Sequence, residues 1–239
     1  MATHLDRSAL VAAWDLPTRL FHWALVLGVA SAWVSYRFAE MLGDATLIWH
    51  RCNGLAILTL LIWRVLWGFA GSSTARLSSF VLSPALAWRY ASELAKGRVG
   101  HYLGHNPLGT WMILAMLAAL LIQATFGLFA VDDNDLTGGP LYRLVSEDAN
   151  TWATRWHGRV FDFAILPLVA IHVAANALYG ALKKEPLVTA MVTGQKPAID
   201  YEDAAAAVIP DRPLMRAGLC LVAAAAIVLG TIFGFGGKL

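Results

Sequence analysis

The sequence predicts an all-α integral membrane protein with five spanning helices, because its composition is strongly apolar and its apolar residues fall into long segments. Of its 239 residues, 58% are hydrophobic and only 14% are charged, and the mean hydropathy is +0.59. About a quarter of the residues in a soluble domain are charged, so this chain has too few charges to cover a water-exposed surface. The composition therefore argues against a soluble enzyme, a disordered chain and a disulfide-rich domain.

Five segments are long and apolar enough to cross a bilayer, since a spanning helix needs about 20 mainly apolar residues. We expect Asp15 to cap the first helix, with Pro17 in its first turn. The predicted spans are Leu16 to Tyr36, Leu47 to Phe69, Leu108 to Val131, Trp156 to Leu182 and Leu214 to Phe235. No repeat, low-complexity tract or cleavable signal peptide is expected, so residues 1–239 are predicted to form a single membrane domain.

The distribution of lysine and arginine predicts a cytoplasmic N-terminus. With the N-terminus inside, the inner segments carry eleven of these residues and the outer segments carry six. On the inner side, Ser83 to Gly97 is predicted to be a short helix on the membrane surface, and Pro186 to Pro213 an inner loop. The outer loop between the third and fourth spans is either a docking surface for a basic partner or a solvated loop. Its acidic residues are Asp132, Asp133, Asp135, Glu147 and Asp148.

Four of the seven histidines lie in or at the predicted spans, where a titratable side chain is costly and is by default a functional residue. His22 lies near the inner side of the first span, His50 near the outer start of the second, and His157 and His172 lie in the fourth. The fifteen residues between the last two cover about 22 Å of helix and leave both side chains within about 60° of one face. The depths therefore pair His22 with His172 and His50 with His157. Each histidine alone has a simpler interpretation, as a hydrogen-bonding residue between helices.

Two facing imidazoles at each of two depths favour haem over zinc. Zinc usually takes four ligands, or three ligands and a water, at one point, whereas a porphyrin supplies four nitrogens and leaves two axial positions. Iron with two axial histidines is suited to electron transfer rather than oxygen binding. Cys52 and Cys220 belong to no C-x-x-C-H arrangement, so covalent haem attachment has no support.

Small and cationic residues near the histidines are suited to a flat macrocycle and its two propionates. Glycine lets a macrocycle approach the backbone, and arginine binds carboxylates through two parallel hydrogen bonds. The alternatives are close helix packing for the glycines and extension to the membrane surface for the arginines. The candidate cofactor-contacting residues are Gly54, Gly158, Arg19, Arg51, Arg155 and Arg159. Asp162 is a further charge within the fourth span, and Arg159 is its expected partner.

Several motifs, in this order, make the chain resemble the bacterial di-haem cytochrome b561 family, whose relatives include the cytochrome b subunits of nickel–iron hydrogenases and formate dehydrogenase. The resemblance covers about residues 10 to 196. The matching stretches are Trp14–Trp23, His50–Gly54, Arg64–Gly71, Gly104–Gly109, Trp156–Arg159 and His172. It implies a four-helix bundle at 10–196 that binds two non-covalent b haems, with an inner loop and a fifth helix added at 197–239. The family's ligands come from its first, second and fourth helices, which coincides with the histidine pairing above.

The resemblance also implies electron transfer across a bacterial inner membrane, between the quinone pool and a periplasmic redox partner. The quinone would be ubiquinone or menaquinone, and the partner a cytochrome c or an oxidoreductase subunit. In relatives the quinone lies near the segment that Gly104–Gly109 matches, so His105 and Asn106 are candidates to bind a quinone carbonyl. The alternative for His105 is a loop residue or a propionate contact.

Two other functions stay open at this stage. The first is a stand-alone enzyme, a superoxide:quinone oxidoreductase, whose anionic substrate would be attracted by Arg51, Arg155 and Arg159. The second is a transporter or scaffold in which the histidines relay protons. The net charge of +2 indicates no nucleic-acid partner. The apolar composition of the chain predicts contact with the lipid bilayer.

Overall fold

The computed structural model is mostly helical, and it describes residues 9–42, 45–80, 83–132 and 138–238. Asp133 and Asp135 of the predicted acidic loop lie outside these ranges. In chain order the elements are β1 (Leu10–Ala12), α1 (Leu16–Arg37), α2 (Ala39–Leu42), α3 (Ala45–Ala70), α4 (Pro84–Ala95), α5 (Pro107–Gly127), α6 (Glu147–Val160), a π-helical turn (Phe161–Ile165), α7 (Leu166–Lys183), α8 (Leu187–Thr193), β2 (Gln195–Pro197) and α9 (Pro213–Gly234). Single 3-10 turns lie at Leu77–Ser79 and Tyr142–Leu144.

Four helical segments in the described ranges are long and apolar enough to cross a membrane. They are Thr46–Ala70, Pro107–Gly127, Glu147–Lys183 and Pro213–Gly234, and they correspond to the second, third, fourth and fifth predicted spans. Helix α1 is 22 residues long, but Arg19 and His22 make it less apolar than the other four. Its crossing of the membrane, and with it a fifth span and a cytoplasmic N-terminus, stays a prediction.

The start of α6 differs from the prediction. The helix begins at Glu147 rather than Trp156, because Ser146 caps it: the Ser146 hydroxyl accepts from the backbone N of Ala149 at 3.4 Å. Glu147 and Asp148 in the first turn also favour a helix start. His157 is therefore in the interior of a long helix rather than at its beginning.

Two further predictions about helix geometry were wrong. Helix α5 ends at Gly127 instead of Val131, because the chain folds back there and the backbone N of Leu141 donates to Leu128 O at 2.9 Å. The π-helical turn interrupts the α-helix that was assumed between His157 and His172. A π turn holds more residues than an α turn, so counting residues no longer gives the angle between these two side chains.

The chain forms two compact units. Unit 1 comprises Met1–Leu20, Trp67–Ala115 and Ala170–Ala217, and unit 2 comprises Phe21–Leu66, Met116–Val169 and Gly218–Leu239.

In unit 1, the capping role of Asp15 is confirmed. Its buried carboxylate accepts from the backbone N of Thr18 at 2.6 Å and from the backbone N of Ser72 at 3.3 Å, and the Ser72 hydroxyl also donates to it. Trp67 Nε1 donates to Thr18 Oγ1 at 3.0 Å. These bonds hold the first turn of α1 against the end of α3 and the loop that follows it.

The segment from Pro186 to Pro213 is more ordered than the predicted loop, since it contains α8 and β2. Strand β2 pairs antiparallel with β1, and Gly194 O accepts from the backbone N of Ala13 and Trp14 at 2.8 and 3.1 Å. Gly194 has a φ of +84°, and a Cβ there would lie 2.7 Å from Trp14 O. Only glycine fits this turn without strain.

The short helix predicted after Ser83 is confirmed as α4. Ser83 caps it, because its hydroxyl accepts from the backbone N of Leu86 at 3.4 Å, and Pro84 occupies the first helical position. Its location on the membrane surface stays a prediction.

Unit 2 packs parts of α1, α3 and α5 to α7 around one apolar cluster. The buried members of that cluster are Ile57, Leu61, Ala119, Leu120 and Ile165. Helix α9 contributes to a second cluster, in which Val228 and Ile232 pack with Leu58 and Leu141. The C-terminal helix therefore shares a core with α3.

Candidate functional site

His50 on α3 and His157 on α6 form a pair of imidazoles within unit 2. Their ring centroids are 6.1 Å apart and the ring planes are at 81°. Metal–imidazole nitrogen bonds are about 2 Å long, and a ring nitrogen lies about 1 Å from the ring centre. Two axial imidazoles on one metal therefore place their centroids about 6 Å apart. The observed separation fits a metal bound between the two rings.

Each of these rings is oriented by a backbone carbonyl. His50 Nδ1 lies 3.0 Å from Ala32 O, and the hydroxyl of the buried Ser35 lies 3.1 Å from the same nitrogen. His157 Nδ1 lies 2.9 Å from Gln123 O. A carbonyl oxygen only accepts, so Nδ1 carries the proton in both rings and Nε2 keeps its lone pair for a metal.

The number of ligands fits a porphyrin better than a bare metal ion. No group of three or more His, Cys, Asp or Glu side chains gathers within the described ranges, whereas a structural or catalytic zinc needs three or four protein ligands at one point. A haem needs only the two axial ligands that this pair provides.

The glycines near the pair have two different environments. Among the described residues, a Cβ on Gly54 or Gly158 would meet no atom within 4 Å beyond its own stretch of helix, whereas a Cβ on Gly127 would lie 3.0 Å from His157 Cε1 and 3.3 Å from its Nδ1. Gly127 thus provides room for the His157 ring. Gly54, one turn after His50, leaves open space of the kind that a macrocycle requires.

The arginines near this pair in sequence have few partners among the described residues. Arg51 Nη1 donates to Gly138 O at 3.4 Å, and Arg155 and Arg159 are exposed. The Arg159 guanidinium lies over the Trp156 ring at 5.6 Å. The expected ion pair of Arg159 with Asp162 does not form in the described part of the chain, because Arg159 stacks on Trp156 instead.

The second predicted pair is divided between the units, and its pairing stays a prediction. His22 lies in the part of α1 that belongs to unit 2, and His172 lies in the part of α7 that belongs to unit 1. Asn176 Nδ2 lies 3.2 Å from His172 Nε2 and donates to His172 O at 2.8 Å. Asn176 would have to turn away before Nε2 of His172 could bind a metal.

Arg19 is tied to the backbone of unit 1. Its Nη1 donates to Val192 O, and its buried Nε has no hydrogen-bond partner among the residues described. Arg19 also passes close to Gly194, where a Cβ would lie 3.1 Å from Arg19 Nε. A guanidinium fixed in this way still has donors for an anionic group.

The quinone candidates occupy an aromatic region of unit 1. The His105 ring lies 4.7 Å from Trp14 and 5.6 Å from Phe80, measured between ring centroids. Asn106 caps α5, because its Oδ1 accepts from the backbone N of Gly109 at 2.8 Å. Its Nδ2 donates to the hydroxyl of Tyr179 at 3.4 Å, so Asn106 has a structural role whether or not it binds a quinone.

Two polar clusters around this region were not anticipated from the sequence. The hydroxyls of Tyr90 and Tyr179 lie 3.2 Å apart, and burial raises the pKa of Tyr90. His101 Nδ1 lies 2.8 Å from Glu185 Oε1, which also accepts from Lys183 Nζ at 3.4 Å. Tyr179 follows His172 by seven residues, a spacing that places both on one helix face, and this was the available signal.

The buried Lys196 is a further polar residue that sequence reasoning missed. Its Nζ donates to Tyr102 O at 2.8 Å, and burial lowers its pKa. Burial also raises the pKa of Tyr102. No sequence signal distinguished Lys196 from the other cations of the predicted loop.

The comparison with known proteins now decides the family. A family model described as prokaryotic cytochrome b561 matches residues 13–194. The chain belongs to this family. It is therefore a multi-pass membrane cytochrome of the b type, which binds haem b and takes part in electron transfer. The match ends at α8, so β2, the polar segment after it and α9 lie beyond the family model.

Three relatives are similar over most of this cytochrome, and each is described as a probable Ni/Fe-hydrogenase B-type cytochrome subunit. The protein from Azotobacter chroococcum mcd 1 is 28% identical and the match covers 79% of this chain and 89% of the relative. The protein from Rhizobium leguminosarum bv. viciae is 23% identical, with 81% and 91% covered. The protein from Azotobacter vinelandii is 26% identical, with 79% and 89% covered.

Proposed function

We propose that this cytochrome transfers electrons across a bacterial inner membrane, between the quinone pool and a redox partner on the periplasmic side. It would bind two b haems, one between His50 and His157 and the other between His22 and His172. The observation that carries the proposal is the first pair: two rings at the separation of axial ligands, both oriented by backbone carbonyls through Nδ1.

The surrounding residues would tune and protect the outer site. When bound between His50 and His157, haem b would supply reversible one-electron chemistry. Ala32, Ser35 and Gln123 hold the two rings and increase the basicity of their free nitrogens, an effect that favours oxidised iron. Arg51 would donate to a propionate, since its guanidinium makes one long hydrogen bond, to Gly138 O, among the residues that the structure describes.

The inner part of the molecule would bind the quinone. His105 lies against two aromatic rings, and Asn106 Nδ2 has a second hydrogen beyond the one given to Tyr179. Imidazole and amide N–H groups both donate to carbonyl oxygens, so these two residue types suit a quinone carbonyl. The hydroxyl pair of Tyr90 and Tyr179 lies beside this position, which suits a reaction that takes up or releases protons.

The partner would be an oxidoreductase subunit or a cytochrome c. The three relatives are described as hydrogenase subunits, which favours an oxidoreductase subunit. A four-helix di-haem bundle with an added fifth helix and an inside N-terminus is the arrangement that we propose for the complete chain.

The decisive experiment measures haem content. Purified wild-type protein is expected to contain two haems per chain with a low-spin spectrum, and His157→Ala is expected to contain one fewer. His101→Ala is the matched control, because His101 pairs with Glu185 instead of another histidine, and it should keep both haems. Less than one haem in well-folded wild-type protein, or unchanged haem in His157→Ala, would contradict the proposal, and the second result would favour a proton-relaying transporter or scaffold.

A stand-alone superoxide:quinone oxidoreductase is the second candidate, favoured by the exposure of Arg155 and Arg159 on the helix that carries His157. Exposed cations of this kind raise the encounter rate of a small anion. Purified protein would then reduce quinone with superoxide and no partner. Arg155→Gln combined with Arg159→Gln should slow that reaction at low salt, and absence of any partner-free turnover would exclude this function.

A further inference from the structure

A cleft of about 290 Å³ lies between α4 and the segment that leads into α5, within unit 1. Pockets for drug-sized ligands have volumes of about 300–1,000 Å³, so this cleft suits a small polar group. Its wall has an apolar side and a charged side. The apolar side includes Leu86, Val99 and Pro107, and the charged side includes Arg89, Arg98 and Glu202.

The two arginines of the cleft are available to a ligand. Arg89 and Arg98 are exposed. Arg98 uses its backbone N to donate to Glu93 O at 2.9 Å, and neither guanidinium forms a hydrogen bond or an ion pair with the described residues. A guanidinium binds the oxygens of a phosphate through two parallel hydrogen bonds. Two such groups lining one cleft indicate a phosphate ester as the ligand.

The carboxylates of the cleft argue against a purely anionic ligand. Glu93 is already paired with Lys96, whose Nζ is 2.8 Å from Glu93 Oε1, so Glu202 is the acidic residue left over. Its backbone N donates to His101 O at 2.9 Å. A Cβ on Gly100 would clash with the Glu202 carboxylate, so the carboxylate lies directly against the chain beneath it. A carboxylate that lines the same cleft as two arginines matches a phosphate that is linked to an ammonium group.

The position of the cleft identifies the source of this phosphate. Pro107, in its wall, is the first residue of the candidate membrane span Pro107–Gly127, which would put the cleft at the level where hydrocarbon gives way to lipid headgroups. Helix α4 exposes Leu86 and Trp88 to the exterior, and tryptophan is enriched at this level of a membrane. Leu86, Val99 and Pro107 would contact the glycerol and the first methylenes of a lipid.

We propose that this cleft binds the headgroup of a phospholipid with a primary ammonium, of the phosphatidylethanolamine class. Arg89 and Arg98 donate to the phosphate, and Glu202 accepts from the ammonium. The site is separate from the histidine pair, and it would fix α4 to the membrane surface through a lipid instead of through apolar contact alone.

The test measures lipid retention by the full-length protein. Delipidated holoprotein in detergent is mixed with equal amounts of phosphatidylethanolamine, phosphatidylcholine and phosphatidylglycerol, and bound lipid is read by native mass spectrometry. Phosphatidylethanolamine should be retained about tenfold over phosphatidylcholine, whose quaternary ammonium has no N–H for Glu202. Arg89→Gln combined with Arg98→Gln should lower that retention about tenfold. Glu202→Gln should reduce phosphatidylethanolamine to the level of phosphatidylcholine without changing the latter.

Two control variants change charged residues outside the cleft. Arg143→Gln and Glu147→Gln change exposed charges of the same types in unit 2, and they should retain lipid as the wild type does. Gly100→Ala should resemble Glu202→Gln, because the methyl group displaces that carboxylate. Equal retention of the three lipids, preference for phosphatidylglycerol, or wild-type retention in the double arginine variant would overturn the proposal. Displacement of the lipid by inorganic phosphate or by a short-chain quinone would also overturn the proposal, and it would indicate that the cleft binds phosphate or quinone instead.

Discussion

Replacing Gly54 with alanine should stabilise the apoprotein and weaken haem binding, two effects of opposite sign. Gly54 lies in α3 one turn after His50, and a Cβ there meets no protein atom within 4 Å. Alanine is favoured over glycine in a helix interior by about 1 kcal/mol, so the free energy of unfolding of the apoprotein should rise by about that amount. We place the porphyrin against Gly54, where an added methyl group overpacks the contact at a cost of about 1–3 kcal/mol. This corresponds to about 5- to 150-fold in haem affinity.

The two effects are measured separately on one variant. Thermal unfolding of haem-free protein in detergent gives the first, and titration with haem followed by Soret absorbance gives the second. Gly218→Ala in α9 is the matched control, because a Cβ there also meets nothing within 4 Å but no predicted haem ligand lies on α9. It should stabilise the protein and leave haem affinity unchanged. Wild-type haem affinity in Gly54→Ala would refute the placement of the macrocycle.

Three further outcomes follow from the geometry. Asp15→Ala removes a helix cap and the acceptor of the Ser72 amide, so it should lower the free energy of unfolding by about 2 kcal/mol in urea titrations. Ser35→Ala keeps the bond of His50 to Ala32 O but loses the hydroxyl at 3.1 Å, and haem dissociation should become about tenfold faster in transfer assays. Burial raises the pKa of Tyr201 from 10.0 to about 12; because the unfolded chain loses this proton first, stability should fall as the pH rises from 10 to about 12, and Tyr201→Phe should flatten that decline in unfolding curves.

The helices that sequence reasoning placed correctly are those defined by local chemistry. Apolar length predicted α3, α5 and α9, and the side chains of Asp15 and Ser83 predicted where α1 and α4 begin, because a cap acts on the amides two or three residues away. The first turns of α6 are polar, and a search for apolar length therefore placed the start of that helix too late. The pairing of β1 with β2 joins two distant parts of the chain, and neither three-residue strand has a pattern of its own.

The candidate site was only partly accessible to the same reasoning. The identity and spacing of His50 and His157 indicated a pair, since imidazole is costly in a membrane and few functions need it there. The acceptors of their protons, Ala32 O and Gln123 O, are backbone atoms, and any residue type supplies a backbone carbonyl. The stacking of Arg159 on Trp156 was equally invisible, because an exposed arginine has many possible partners and only the tertiary structure selects one.

Asp203 connects the segment after the family match to the turn that precedes α5. Its carboxylate accepts from the backbone N of Leu103 at 2.7 Å and from that of Gly104 at 2.8 Å, next to the quinone candidates. The family model ends at residue 194. The turn at Leu103 and Gly104, inside the matched region, is therefore held by a residue that lies outside it. A chain shortened after α8 would lose the carboxylate that accepts from both amides of this turn, and water would have to replace it at the exposed Gly104 amide. A transfer of residues 13–194 into a relative should therefore include Asp203.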